Sequence, residues 1–82
     1  MTKNYVKRIL QIMNTNKEKI IKKKLSLNKD LLYFDNFKLI VSLNRDTRSI
    51  NLNIEDLELG LTRTFNEKID SLIGIHVMEL LY

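Results

Sequence analysis

The chain has a single histidine, His76, and Glu79 follows it three residues later. On a helix that spacing stacks both side chains on one face, as in a metal-ligand pair. A tetrahedral metal centre needs two further ligands, and the chain has no cysteine to supply a thiolate. A packed or half-exposed structural histidine is the plainer reading. Without a second histidine or any cysteine, the usual nucleophile–base pairs are nearly empty. The carboxylate groupings Asp30 with Asp35, and Glu55 with Asp56 and Glu58, fall in or beside turn-forming stretches. Acid–base work needs an enclosed cleft that shifts a carboxyl pKa, so a solvated surface fits them better.

Two further ligand patterns fail on their own residues. Asn44, Asp46 and Glu55 fall at positions 1, 3 and 12 of a would-be calcium loop. Arg48 then stands where an oxygen ligand is required, and Ser49 where the sharp turn requires glycine. The only glycines, Gly60 and Gly74, lie too far apart to form a phosphate-cradling loop. No catalytic residue, metal or cofactor is expected, and the chain is not expected to be an enzyme.

Charge is more informative. Residues 1–24 hold eight bases against one acid, Glu18, a net of +7. Residues 25–82 hold six bases against nine acids, a net of −3. A basic N-terminal arm on a mildly acidic body gives phosphate-rich or acidic partners one preferred face. Arg8, Lys17, Lys19, Lys22, Lys23 and Lys24 are the binding candidates on that arm, joined by Arg45 and Arg48 at a predicted hairpin tip. A second explanation stands beside this one. The chain has ten Lys, nine Asn and ten Ile but no Ala or Pro, the imprint of AT-rich codons. Such a genome raises lysine content everywhere, and the run is then a solvated helix face.

The elements that must position these groups follow from periodicity. Thr2 can cap a first helix whose inner face is Val6, Ile9, Leu10 and Met13, with Lys3, Lys7, Arg8 and Gln11 opposite. Thr15 and Glu18 have capping-box spacing, which predicts a second helix over 16–24 with Ile20 and Ile21 inward; one bent helix is the alternative. Residues 25–36 suit a helical turn or an extended segment, with Leu31, Leu32, Tyr33 and Phe34 as core and Asp35-Asn36 as a turn.

The clearest local signal is a β-hairpin. Phe37, Leu39, Val41 and Leu43 alternate with Lys38, Ile40, Ser42 and Asn44, and Ile50, Leu52 and Ile54 alternate with Asn51, Asn53 and Glu55. Pairing Asn44 with Ser49 sets Leu43 against Ile50, Val41 against Leu52, Leu39 against Ile54 and Lys38 against Glu55. A one-residue slip would turn the whole apolar set to solvent, which fixes the register. Residues 54–63 admit a third strand, from the alternation of Leu57, Leu59 and Leu61, or a short helix capped by Asn53 and ended by Gly60. The strand is preferred.

Thr64 and Glu67 predict the start of a last helix, with Ile69, Leu72, Ile73, His76, Val77 and Leu80 as a wide inner stripe. Ile75, Met78 and Tyr82 form a second stripe, a candidate interface to another protein or to a second copy. The expected fold class is α+β in a single small domain over 1–82. It comprises an N-terminal helix or helix pair, an antiparallel β-hairpin or three-stranded sheet, and a C-terminal helix packed on the sheet.

Two functions follow as expectations. One is a non-catalytic interaction protein, for instance a small phage or mobile-element inhibitor or adaptor that binds a larger protein machine. The other is a backbone-directed nucleic-acid-binding protein that uses the lysine-rich arm. Helices followed by a hairpin invite comparison with a winged helix, whose recognition helix would fall at 27–34. That stretch is apolar and poor in residues that read base edges. The interaction protein is therefore ranked first. No secretory or membrane-spanning segment is evident, and a cytoplasmic location is expected.

Overall fold

The computed structural model describes residues 2–82, with side chains from Asn4 onward. The chain opens with helix α1 (Thr2–Thr15) and a 3-10 turn (Lys17–Lys19). Five strands follow: β1 (Ile21–Ser26), β2 (Lys29–Phe34), β3 (Phe37–Asn44), β4 (Ser49–Asp56) and β5 (Leu61–Lys68). Helix α2 (Leu72–Leu81) closes the chain. The strands form one antiparallel sheet in sequence order, β1-β2-β3-β4-β5. The architecture is α+β as expected, but with five strands where the sequence suggested two or three.

The predicted hairpin is β3–β4, and its register is the one derived from the apolar alternation. Lys38 and Glu55 face each other, with Nζ and Oε1 3.9 Å apart. Both turns around β4 are held by a side chain at the end of the preceding strand. Asn44 Oδ1 accepts from the N–H groups of Asp46 and Thr47, and Asp56 Oδ1 accepts from those of Glu58 and Leu59. Such Asx turns reverse the chain without a buried anchor. The β4–β5 reversal ends at Gly60, with φ +70. Leu57 and Leu59 therefore lie in an exposed turn, and the third strand begins only at Leu61.

The N-terminal third differs most from expectation. α1 buries Val6, Ile9, Leu10 and Met13 as its periodicity required. The expected Thr2 cap lies outside the described side chains. No second helix forms over 16–24, because the polar run after Met13 ends a helix rather than starting one. Asn14, Thr15 and Asn16 each donate a side-chain hydrogen bond back to the carbonyl four residues earlier, on Leu10, Gln11 and Ile12, at 3.0, 2.9 and 2.8 Å. Thr15 is thus committed backwards, and Asn16 makes no cap bond to the 3-10 turn that follows. From Ile21 the chain pairs with β2 instead. Residues 29–34 are strand β2, which removes the supposed recognition helix.

The C-terminal helix also starts later than predicted. Thr64 and Glu67 are strand residues of β5, and the true cap is Ser71, whose Oγ accepts from Gly74 N–H at 3.0 Å. Ile73, Val77 and Leu80 are buried, Ile69 packs on the core from just before the helix, and Leu72 is exposed. One core joins both helices to one face of the sheet, through Leu32, Leu39, Val41, Ile50, Leu52 and Ile54. No helix among the described residues is long and apolar enough to cross a membrane.

Gly74 sets the fit between α2 and the end of β5. A Cβ there would collide with the backbone carbonyl oxygens of Lys68 and Ile69. Backbone cannot swing aside as a side-chain tip can, so Gly74→Ala should cost about 3 kcal/mol, the upper end for overpacking. Gly60→Ala meets no neighbour and carries only left-handed strain, about 1 kcal/mol. Urea denaturation of the two variants checks that order.

Candidate protein-docking surface

Antiparallel pairing decides which side chains share a face, since directly opposed residues point the same way. Two rows cross the face of the sheet that the helices leave open. One runs Ile21, Tyr33, Lys38, Glu55, Thr62, and the next runs Lys23, Leu31, Ile40, Asn53, Thr64. The apolar and basic members of both rows lie on β1, β2 and β3, while neutral polar groups dominate β4 and β5. Ile21 is 67% exposed and Tyr33 37%; nearby Leu25, at a register irregularity of β1, is 44% exposed.

Leu31 shows how this surface is built. It is only 8% exposed yet stands apart from the core cluster that includes its neighbour Leu32. On the open face it lies between Lys23 and Ile40. Lys23, its partner across β1–β2, is exposed. Lys23 and Lys38 thus border an apolar patch whose floor is Leu31 and whose exposed parts are Ile21 and Tyr33. All four residues of Leu31–Phe34 were expected in the core. Leu31 and Leu32 are indeed buried and Phe34 packs on the core, but the strand's period of two puts Leu31 on the other face from Leu32 and leaves Tyr33 exposed.

At the end of the sheet that carries the β1–β2 and β3–β4 turns, a shallow cleft of about 600 Å³ lies among Asn28, Ser42, Asn44, Ser49, Asn51 and Asn66. Arg45 and Asp46 also line it. Its amides and hydroxyls are hydrogen-bonding groups without a nucleophile–base arrangement. Among the described residues, no three metal-ligating side chains come together. His76 Nδ1 lies 3.8 Å from Glu79 Oε1 on α2, with the imidazole mostly buried and the carboxylate exposed.

The eight cations singled out from the sequence do not share one helix face. Arg8 is exposed on α1, and Lys17 and Lys19 are exposed in the 3-10 turn. Lys22 points to the helix side of β1, where its Nζ donates to the carbonyls of Leu80 and Leu81 at 3.3 and 3.5 Å. A cation there complements the negative end of the α2 dipole. Lys23 lies on the open face, and Lys24 Nζ pairs with Asp30 Oδ2 at 3.2 Å. Arg45 Nε donates to Asn28 Oδ1 at 3.2 Å, in the turns at the far end of β1 from the 3-10 turn. Arg48 takes a left-handed φ of 53, and its carbonyl accepts from Ile69 N–H.

On α2, Ile75 is 48% and Tyr82 82% exposed, while Met78 is half-buried. The second stripe therefore exists at both ends and is partly covered between them. Sequence reasoning missed the open-face patch altogether. Its signal was present in the alternation Leu31/Tyr33 against Leu32/Phe34, but only once that segment is known to be a strand.

Exposed members of both surfaces should be removable without loss of fold. Tyr33→Ser and Ile75→Ser should each change unfolding free energy by no more than about 1 kcal/mol, whereas Leu32→Ala should cost about 2–5 kcal/mol. Chemical denaturation followed by far-ultraviolet circular dichroism makes the comparison. No family model, curated protein or solved structure matches this chain.

Proposed function

We propose that this chain is a non-catalytic interaction protein that docks on a larger protein through the β1–β3 half of its open sheet face. The observation that carries the reading is the exposed apolar patch of Ile21 and Tyr33 over Leu31, bordered by Lys23 and Lys38. An apolar centre with a charged rim is the usual anatomy of a docking surface, and tyrosine is enriched at its energetic centre. Lys23 and Lys38 outnumber Glu55, which lies 3.9 Å from Lys38, so the rim favours an acidic complementary surface. An interface of ordinary size takes about 800 Å² from each partner, a minor share of the 5380 Å² that this molecule exposes. An inhibitor or adaptor role, in which the chain occupies a working surface of a larger machine, is the form of this function that suits its size.

The nucleic-acid alternative has less support. Lys22 and Lys24 make intramolecular contacts, and Arg45 and Arg48 lie at the other end of the sheet from Lys17 and Lys19. A continuous phosphate track would need them on one face.

The test is site-specific photo-crosslinking in cells that make the chain. A benzophenone side chain at position 33 should capture one protein partner, and one at position 66, in the polar half, should not. Lys38→Glu should reduce that yield at least tenfold. Equal labelling from both positions would overturn the reading. Salt-steep binding of labelled DNA or RNA between about 50 and 200 mM salt, lost in Lys17→Glu/Lys19→Glu, would replace it with the alternative.

A further inference from the structure

The mode of docking can be taken further, resting on the interaction reading above. β1 is a terminal strand, and all six of its residues are exposed. Among the described residues, no strand lies beside one of its edges, so a row of backbone donors and acceptors faces outward. Such an edge can take another strand, with main-chain hydrogen bonds giving affinity and alternate side chains giving specificity. We infer that β1 accepts an extended acidic segment of another protein as a sixth, antiparallel strand.

Charge selects the occupant. Lys22, Lys23 and Lys24 stand in succession on β1. A second copy pairing about a two-fold axis at Lys23 would set Lys23 against Lys23 and Lys22 against Lys24. Like charges in direct opposition destabilise a strand pair. The same three lysines favour a strand with carboxylates opposite them. β5, the other edge, mixes Arg63, Glu67 and Lys68 among neutral residues and selects no single sign.

The pairing also dictates an order. Opposite Lys24, Lys23, Lys22 and Ile21, an antiparallel partner read from its N-terminus presents acid, acid, acid, apolar. The acid facing Lys23 and the apolar residue facing Ile21 share the open face with Leu31 and Tyr33, so the new strand would extend the patch. Acids facing Lys22 and Lys24 would lie on the helix side. There the two ammonium groups already contact Leu80, Leu81 and Asp30, which leaves Lys23 as the chief discriminating contact.

The probe is the blocked peptide Thr-Thr-Glu-Glu-Glu-Val-Thr, titrated into the isotope-labelled full chain by NMR. A control of identical composition, Thr-Glu-Thr-Val-Glu-Thr-Glu, separates pattern from bulk charge. Saturable binding is expected, with shifts centred on residues 21–26 and their β2 partners and slowed amide exchange along β1. The control should bind at least tenfold more weakly, and Lys23→Glu should weaken the probe at least tenfold. That variant's unfolding midpoint should stay unchanged.

No saturation at millimolar peptide, equal affinity for the control, or shifts centred on β5 or the helices would overturn strand addition. So would concentration-dependent dimerisation that protects the β1 amides without peptide. If the peptide fails while position 33 still crosslinks one partner, the strand mode falls and the interaction reading stands. Loss of both removes the reading itself.

Discussion

Six aliphatic side chains on one face of the sheet, Leu32, Leu39, Val41, Ile50, Leu52 and Ile54, must be kept from water, and the rest of the molecule is arranged around that requirement. Every one is at most 1% exposed. Their cover comes from α1 and α2, which contribute Val6, Ile9, Leu10, Met13, Ile73, Val77 and Leu80. An 82-residue chain has little apolar surface to spare. Both of its helices are used on this one face, and the opposite face is left bare as a direct consequence.

The margins of that layer are closed by polar groups with apolar stems. Arg63, level with Ile54 on β5, sets its guanidinium 4.4 Å from the centre of the Tyr5 ring on α1. At the other edge Lys22 reaches the last carbonyls of α2. Between the helices, Asn14 donates to the carbonyls of both Leu10 and His76, tying the end of α1 to the middle of α2. These contacts anchor the helices in direction as well as in depth, since aliphatic packing alone is non-directional. They also give some of the basic residues structural work, which changes what the positive charge signifies.

A lysine run that looks like the outer face of a helix is instead the guard of a sheet edge. Charged residues, short length and an irregular register are the devices by which edge strands avoid pairing with copies of themselves, and β1 has all three. The functional reading shifts accordingly, from a basic helical arm toward the open face and its basic margin. The lysines that disfavour pairing of β1 with a copy of itself are the ones that the proposed acidic strand would face.

Much of this could be read from residue order alone. The β3–β4 register follows from strict alternation, because a slip would expose the whole apolar set. The inner face of α1 follows from its 3.6-residue spacing. Composition disposed of thiolate chemistry before any fold was known. What sequence could not decide were segments whose local signals were compatible with two states. Residues 16–24 carry capping residues and good helix formers, yet form only a 3-10 turn before Ile21 joins a strand, because β2 offers backbone partners from there on. Thr64 and Glu67 have capping spacing, but β4 claims both as strand. Tyr33 is apolar enough for a core, and only the side on which the helices settled left it exposed. In each case a partner outside the segment outweighs its local preference, since pairing and burial gain more free energy than propensity costs.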